Sequence, residues 1–239
     1  MTASGEQVQA VIFDLDGVLV DSEQVWDEER ERLARERGGH WHRDAQRDMM
    51  GMSSIEWSRY MGEELGVPLP PEEISGEVAR RVGDVYRRDL PLLPGAVDAV
   101  RRLAERWPLG LASSSNRPII DLVLDLAGLA RIFEVTISSE EVARGKPAPD
   151  VYVEAVARLG MEPGRSAAIE DSTNGLLAAR AAGLGVVAIP NRSFPPAPEA
   201  LEEADVVLES LDALTAESIE AAFSARGTRA REAPRGQGR

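Results

Sequence analysis

The 239-residue sequence contains no cysteine, which excludes disulfide staples, thiolate metal sites and thiol catalysis. Histidine is nearly absent: His40 and His42 are the only two, too few for a three-histidine zinc centre. No apolar run approaches the roughly 20 residues of a membrane-spanning helix. The opening MTASGEQ is polar and lacks the apolar stretch of a signal peptide. The expectation is a cytoplasmic protein with no membrane partner. Positive charge is scarce, with 27 Lys and Arg against 41 Asp and Glu and a net charge of −14. Such a chain repels a phosphate backbone, so no nucleic-acid partner is expected. Lysine is the scarcest cation: 26 of the 27 are arginine and the single lysine is Lys146. GC-rich codon usage, which the abundance of alanine also fits, accounts for most of that imbalance. It does not explain why one lysine remains.

What is present is enough to fold. The chain is 43% hydrophobic and 28% charged, sufficient to bury a core and too apolar for wholesale disorder. Residues 8–15 (VQAVIFDL) form an apolar run that ends in acids and reads as a buried strand. From Ser22 to Asp89 the pattern changes to charged segments of helical spacing at 23–37, 54–65 and 72–88, separated by Gly, Pro and His. Strands and helices alternate after Pro94-Gly95. Strands are expected at PLGLASSS (108–115), EVTIS (134–138), AAIED (167–171) and GVVAIP (185–190), with a possible edge strand at 205–208. Helices are expected up to Trp107 and over 117–127, 150–159, 173–182 and 211–224. This alternation predicts an α/β domain with a parallel sheet covered on both faces. From Ala225 onward there is no periodic apolar face, and the expectation for 225–239 is a disordered, solvated tail of net charge +4.

In an open parallel sheet the carboxyl ends of the strands carry the ligand site. Those ends hold Asp14 and Asp16, then Ser113, Ser114, Ser115 and Asn116, then Glu170 and Asp171, with Lys146 in a loop between strands. Singly, each has an ordinary structural explanation as a turn former, a helix cap or a solvated loop charge. Together they describe one chemistry. Four clustered carboxylates repel one another unless a cation lies among them, and an all-oxygen donor set favours Mg²⁺. Hydroxyls and backbone N–H groups ahead of a helix seat an anion. An Asp facing a Mg²⁺-bound phosphate can attack it. A second Asp carried round a turn at Gly17 can act as acid and then base.

The segments VIFDLDGVLVDSE (11–23), LASSSN (111–116), GKPAPD (145–150) and IEDSTNG (169–175) closely resemble the four motifs of the haloacid dehalogenase-like hydrolases. The branch most resembled is that of β-phosphoglucomutase and small sugar phosphatases, over about Val8 to Asp212. The resemblance implies a Rossmann-like core with strand order 3-2-1-4-5, formed by residues 1–21 and 90–224. It also implies a four-helix cap at 22–89, hinged near Gly17–Ser22 and Leu90–Pro94. Asp14 would be the nucleophile and Asp16 the acid/base. Ser113, Ser114 and Asn116 would hold the phosphoryl group, and Lys146 would sit between it and Asp14. Mg²⁺ would be bound by Asp14, Asp171 and the backbone carbonyl of Asp16, with Glu170 a ligand or its support. The implied activity is a Mg²⁺-dependent phosphatase acting on a small phosphorylated metabolite, such as a sugar phosphate, through an aspartyl-phosphate. Nothing demands more than a monomer. A dehalogenase would need neither the second Asp nor the metal acids. A phosphomutase is the alternative, but β-phosphoglucomutases carry a His where this chain has Trp26. They also carry a Lys-Gly-x-x-x-Arg loop where it reads Met50-Gly51-Met52-Ser53-Ser54-Ile55. Arg43, Arg47 and Arg59 are the nearby candidates for a substitute phosphate contact, and Trp26, Met50 and Met52 suggest a partly apolar substrate face.

Overall fold

The computed structural model describes residues 7–49 and 52–232. Six parallel strands form one sheet in the order β3-β2-β1-β4-β5-β6. They are β1 (Ala10–Phe13), β2 (Leu109–Ser113), β3 (Phe133–Ser138), β4 (Ser166–Glu170), β5 (Gly185–Ala188) and β6 (Val206–Val207). The expected order is thus observed and extended by one edge strand, at the segment where the sequence allows one. Apolar side chains on both faces explain why β1 lies at the centre. Val11 and Phe13 belong to one buried cluster and Ile12 to the other, so successive residues alternate between two covered faces.

The helices α1 (Glu23–Glu36), α2 (Ala45–Met49), α3 (Ser54–Glu63) and α4 (Pro71–Tyr86) lie between β1 and α5 (Ala96–Ala104), which leads into β2. Three of the four coincide with the charged helical segments. The fourth, α2, is a five-residue helix too short to leave a periodic signature. Their apolar stripes, including Trp26, Trp57, Met61, Ile74 and Val82, join the cluster that covers one face of the sheet. The two connections to the core run side by side: Asp21 N–H donates to Pro91 C=O (2.8 Å) and Leu93 N–H to Leu19 C=O (2.9 Å). Beyond β2 come α6 (Arg117–Leu126), α7 (Asp150–Arg158), α8 (Thr173–Ala181), the short α9 (Pro198–Leu201) and α10 (Ala216–Glu232).

The chain end departs from expectation. A 3₁₀ turn occupies Leu211–Ala213, and α10 begins only at Ala216 but runs to Glu232, so 225–232 are helical rather than disordered. Once a helix is nucleated and docked, Ala, Arg and Glu extend it without needing a packed face. The remainder of the predicted tail, 233–239, lies outside the described residues, as do Met50 and Gly51. Among the described residues no helix is long and apolar enough to cross a membrane.

Candidate active site

β1 delivers Asp14 to the carboxyl edge of the sheet, where its N–H donates to Ile169 C=O on β4 (3.0 Å). The chain then turns through Gly17, at φ +77°, and Gly17 N–H donates to Val20 C=O (2.8 Å). A side chain here would have to adopt left-handed backbone, and its Cβ would collide with the Asp171 carboxylate. Glycine therefore both makes the turn and lets Asp171 approach. Asp16, carried round this turn, accepts from Ser115 Oγ (2.7 Å) and Ser113 Oγ (3.3 Å).

β4 ends in Glu170, and Asp171 follows. Oxygens of Asp14, Glu170 and Asp171 lie within 4.8 Å of one another, and all three residues are buried. Lys146 enters from the loop before α7, and its Nζ donates to Asp14 Oδ1 (2.8 Å) and Glu170 Oε1 (2.6 Å). The Tyr152 ring centroid lies 5.0 Å from that ammonium. The two oxygens of Glu170 are well supplied with donors. Oε1 also accepts from Tyr152 Oη (2.6 Å), and Oε2 accepts from Ser172 Oγ (3.2 Å) and Asp171 N–H (3.1 Å). Gly175 in the first turn of α8 makes room for this carboxylate, which a Cβ would strike. Ser172 caps α8 by accepting from Gly175 N–H (3.1 Å).

The electrostatics of the cluster are unbalanced. One ammonium faces three buried carboxylates, leaving two negative charges over. Burial accordingly pushes Asp14 up to about 8, and the neighbouring Glu170 and Asp16 charges add to the shift while Lys146 opposes it. Burial also holds Asp171 well above the ordinary carboxylate range, reinforced by Glu170 and Asp14. Lys146 itself is raised, because attraction to Asp14 and Glu170 outweighs its desolvation. A divalent cation bound by hard oxygen ligands would cancel the excess. The donor set therefore fits Mg²⁺.

Above the carboxylates opens a cavity of about 90 Å³ lined by Asp14, Asp16, Lys146, Asp171 and the Ser114–Asn116 loop. Ser113 is fully buried and does not line it: its hydroxyl donates to Asp16 and accepts from Ser115 N–H (2.9 Å). Ser115, which the sequence offers only as a member of a serine run, reaches the cavity and Asp16 together. Asn116 lines the cavity too, while its amide donates to Glu140 (2.7 Å) and to Ser75 on α4 (2.9 Å). The other wall comes from α1–α3. Glu23, Trp26, Arg30, Met49, Met52 and Trp57 line it, so Trp26 and Met52 face the cavity as expected. Arg43 and Arg47 do not. Arg47 pairs with Asp44 (3.2 Å), and Arg59 lines a separate cleft between α3, α4 and α6. Glu23 closes the first of the four sequence motifs, whereas Arg30 and Trp57 had no signal beyond helical periodicity, because their convergence depends on how α1 packs against α3.

Comparison with known proteins gives concordant matches. The family model for haloacid dehalogenase-like hydrolase matches residues 8–183. Hexitol phosphatase B of Escherichia coli strain K12 is 34% identical over 222 residues, covering 89% of this chain and 97% of that protein. A phosphorylated carbohydrates phosphatase of Thermotoga maritima is 31% identical over 179 residues, covering 74% of this chain and 82% of that protein. The crystal structure of CbbY from Rhodobacter sphaeroides in complex with phosphate superposes with a TM-score of 0.80 at 26% identity, covering 89% of this chain and 99% of that one.

Proposed function

The chain belongs to the haloacid dehalogenase-like hydrolase family, and from that premise we propose that it is a Mg²⁺-dependent phosphatase of small sugar or polyol phosphates. The observation that carries this reading is Lys146 Nζ held 2.8 Å from Asp14 on the floor of a cavity that Asp16 and Asp171 also line. The relatives named for hexitol and carbohydrate phosphates support the substrate class.

Asp14 attacks phosphorus. A carboxylate oxygen forms the new P–O bond, the ester P–O bond breaks, and Asp16 gives its proton to the departing alkoxide. Water then attacks the aspartyl-phosphate, Asp16 takes the proton, and Asp14 is regenerated as phosphate leaves. Lys146 holds Asp14 in place and offers its remaining donor capacity to the phosphoryl oxygens. Ser114 and Ser115 line the place where those oxygens lie, and Asn116 fixes their loop. Glu170, its oxygens already bonded to Lys146, Tyr152, Asp171 and Ser172, positions the cluster. Asp14, Asp171 and the Asp16 carbonyl would hold Mg²⁺, which when bound supplies positive charge that stabilises the transferring phosphoryl group. Residues 22–89 act as a cap on a core formed by 1–21 and 90–224, with the paired connections as its hinge, and closure excludes water from the aspartyl-phosphate.

The test is phosphate release from a panel of phosphorylated metabolites with Mg²⁺ and with EDTA. Activity that requires Mg²⁺ is expected. Asp14→Asn should abolish it while leaving the circular dichroism spectrum unchanged; normal turnover, once deamidation to Asp is excluded by mass, would remove Asp14 as nucleophile. Isomerisation of β-glucose 1-phosphate with a bisphosphate primer and no net phosphate release would establish the phosphomutase alternative instead.

A further inference from the structure

Arg30, on α1, is buried with 8% of its surface exposed, and it lines the cavity above Asp14. Its guanidinium carbon lies 5.4 Å from the ring centroid of Trp26 and 4.8 Å from that of Trp57. The two indoles meet edge to face at 6.0 Å. Stacking fixes the guanidinium but satisfies none of its five N–H donors. Among the described residues Arg30 forms no ion pair, and its Nε is buried with no hydrogen-bond partner. The chain's other packed arginines do otherwise: Arg81 reaches Glu36 (2.7 Å) and Arg180 reaches Asp205 (2.9 Å). The adjacent buried Glu29 binds the exposed Arg32 (3.0 Å) rather than Arg30.

A buried arginine with open donors is costly unless something fills them. We propose that Arg30 is a specificity-determining residue whose guanidinium donates to hydroxyl groups of the sugar or polyol chain while the phosphate lies at Asp14. The surrounding charges favour hydroxyls over a second anion. Glu23, Asp27 and Asp16 all act on the guanidinium, so a carboxylate or second phosphate would meet their repulsion. A hydroxyl can accept from Arg30 and donate to an acid such as Glu23, which shares the cavity wall. The flanking indoles offer the carbohydrate C–H groups an apolar face. The assignment rests on the phosphatase reading above and narrows its substrate to a chain bearing hydroxyls beyond the phosphate.

The experiment compares wild type, Arg30→Met and Arg30→Gln on sorbitol 6-phosphate, fructose 1,6-bisphosphate and acetyl phosphate, which carries no hydroxyl beyond its phosphate. Calorimetric binding of sorbitol 6-phosphate is measured in Asp14→Asn and in Asp14→Asn with Arg30→Met. For Arg30→Met, the ratio of kcat/KM on sorbitol 6-phosphate to that on acetyl phosphate should fall by on the order of tenfold or more, mainly through KM. Calorimetric affinity should fall by a similar factor. Arg30→Gln, which keeps donors without charge, should fall between, and it carries the comparison if Arg30→Met does not fold. An unchanged ratio with unchanged affinity would show that water or packing alone occupies Arg30. A wild-type preference for the bisphosphate that Arg30→Met abolishes would also overturn the assignment, because Arg30 would then be reading a second phosphate. If wild type hydrolyses none of the three, the phosphatase reading fails, and the calorimetric comparison still decides for or against Arg30.

Discussion

At Lys146 the chain's one lysine meets a position that asks for a compact cation. Its side chain is 4% exposed, and its ammonium contacts Asp14 and Glu170 on different elements, with the Tyr152 ring as a third boundary. A three-donor ammonium can divide itself among these directions. A planar guanidinium is larger and fixes its donors in a fork. Lys146→Arg is therefore expected to keep the charge and lose most of the turnover, as steady-state kinetics would reveal; near-normal kcat would remove the shape argument. The crowded carboxylates have a consequence for stability too. An aspartate in the unfolded chain releases its proton near 3.8, whereas folded, metal-free Asp14 holds its proton up to about 8. The folded state thus binds more protons across that interval, so the metal-free protein should lose stability as pH rises through it. Thermal melts in EDTA should fall from pH 5 to pH 8. Added Mg²⁺ should raise the melting temperature most at the alkaline end, since binding must displace those protons. A metal-free melting curve that rises over this range would contradict the picture.

Among the elements, α3 shows how local sequence sets one wall of the cavity. Ser53 accepts from Glu56 N–H, and the Glu56 carboxylate accepts from Ser53 N–H (2.8 Å), a complete capping box. The box fixes the start of the helix that carries Trp57, directly after Met52. Removing it by Ser53→Ala is expected to cost about 1 kcal/mol, a fall of about 2–4 °C in the melting temperature for a chain of this size. No change on differential scanning calorimetry would mean the helix start is held by packing alone. By contrast, α6 gets no cap from its own N-cap side chain, and its first N–H, that of Arg117, donates instead to the Glu140 carboxylate (3.0 Å). Asn116 stands at that N-cap position but spends its amide on Ser75 and Glu140. A residue that reads as a helix cap thus serves a longer-range connection.

On the scale of the whole molecule, that connection joins the cavity-lining Ser114–Asn116 loop to α4 of the helical insertion. Asn116→Ala removes both hydrogen bonds at once. It is expected to raise KM for phosphorylated substrates severalfold and to increase hydrogen exchange at the α4 amides near Ser75, because a link between insertion and core is lost. Unchanged exchange there would show that apolar packing alone holds the two together. The acidic balance also reads differently in three dimensions. Much of the surface charge is paired locally, as in Arg80 with Glu77 and Asp84, while three acids are gathered at a single buried point. A net charge of −14 therefore describes poorly what a phosphate ester meets at the cavity.

The sequence by itself determined the parallel sheet, its strand positions and the residues that assemble at its edge. Those signals are local: β-rich apolar runs, helical spacing between them, and acids placed just after strand ends, where the topology leaves side chains nowhere else to converge. Tertiary structure alone decided the finer assignments. Ser113, the last residue of β2, turns inward to Asp16, and the serine two residues on, in the loop, reaches the cavity, because at a strand end side-chain direction follows hydrogen bonds rather than periodicity. The oxygens of Glu170 are taken up by Lys146, Tyr152 and the next turn, an allocation visible only once β4 and the Lys146 loop are juxtaposed. Arg30 reaches the cavity wall between two indoles from different helices. Helical periodicity marks which residues are buried, but only the packing of α1 against α3 settles which of them meet one another and which line the cavity.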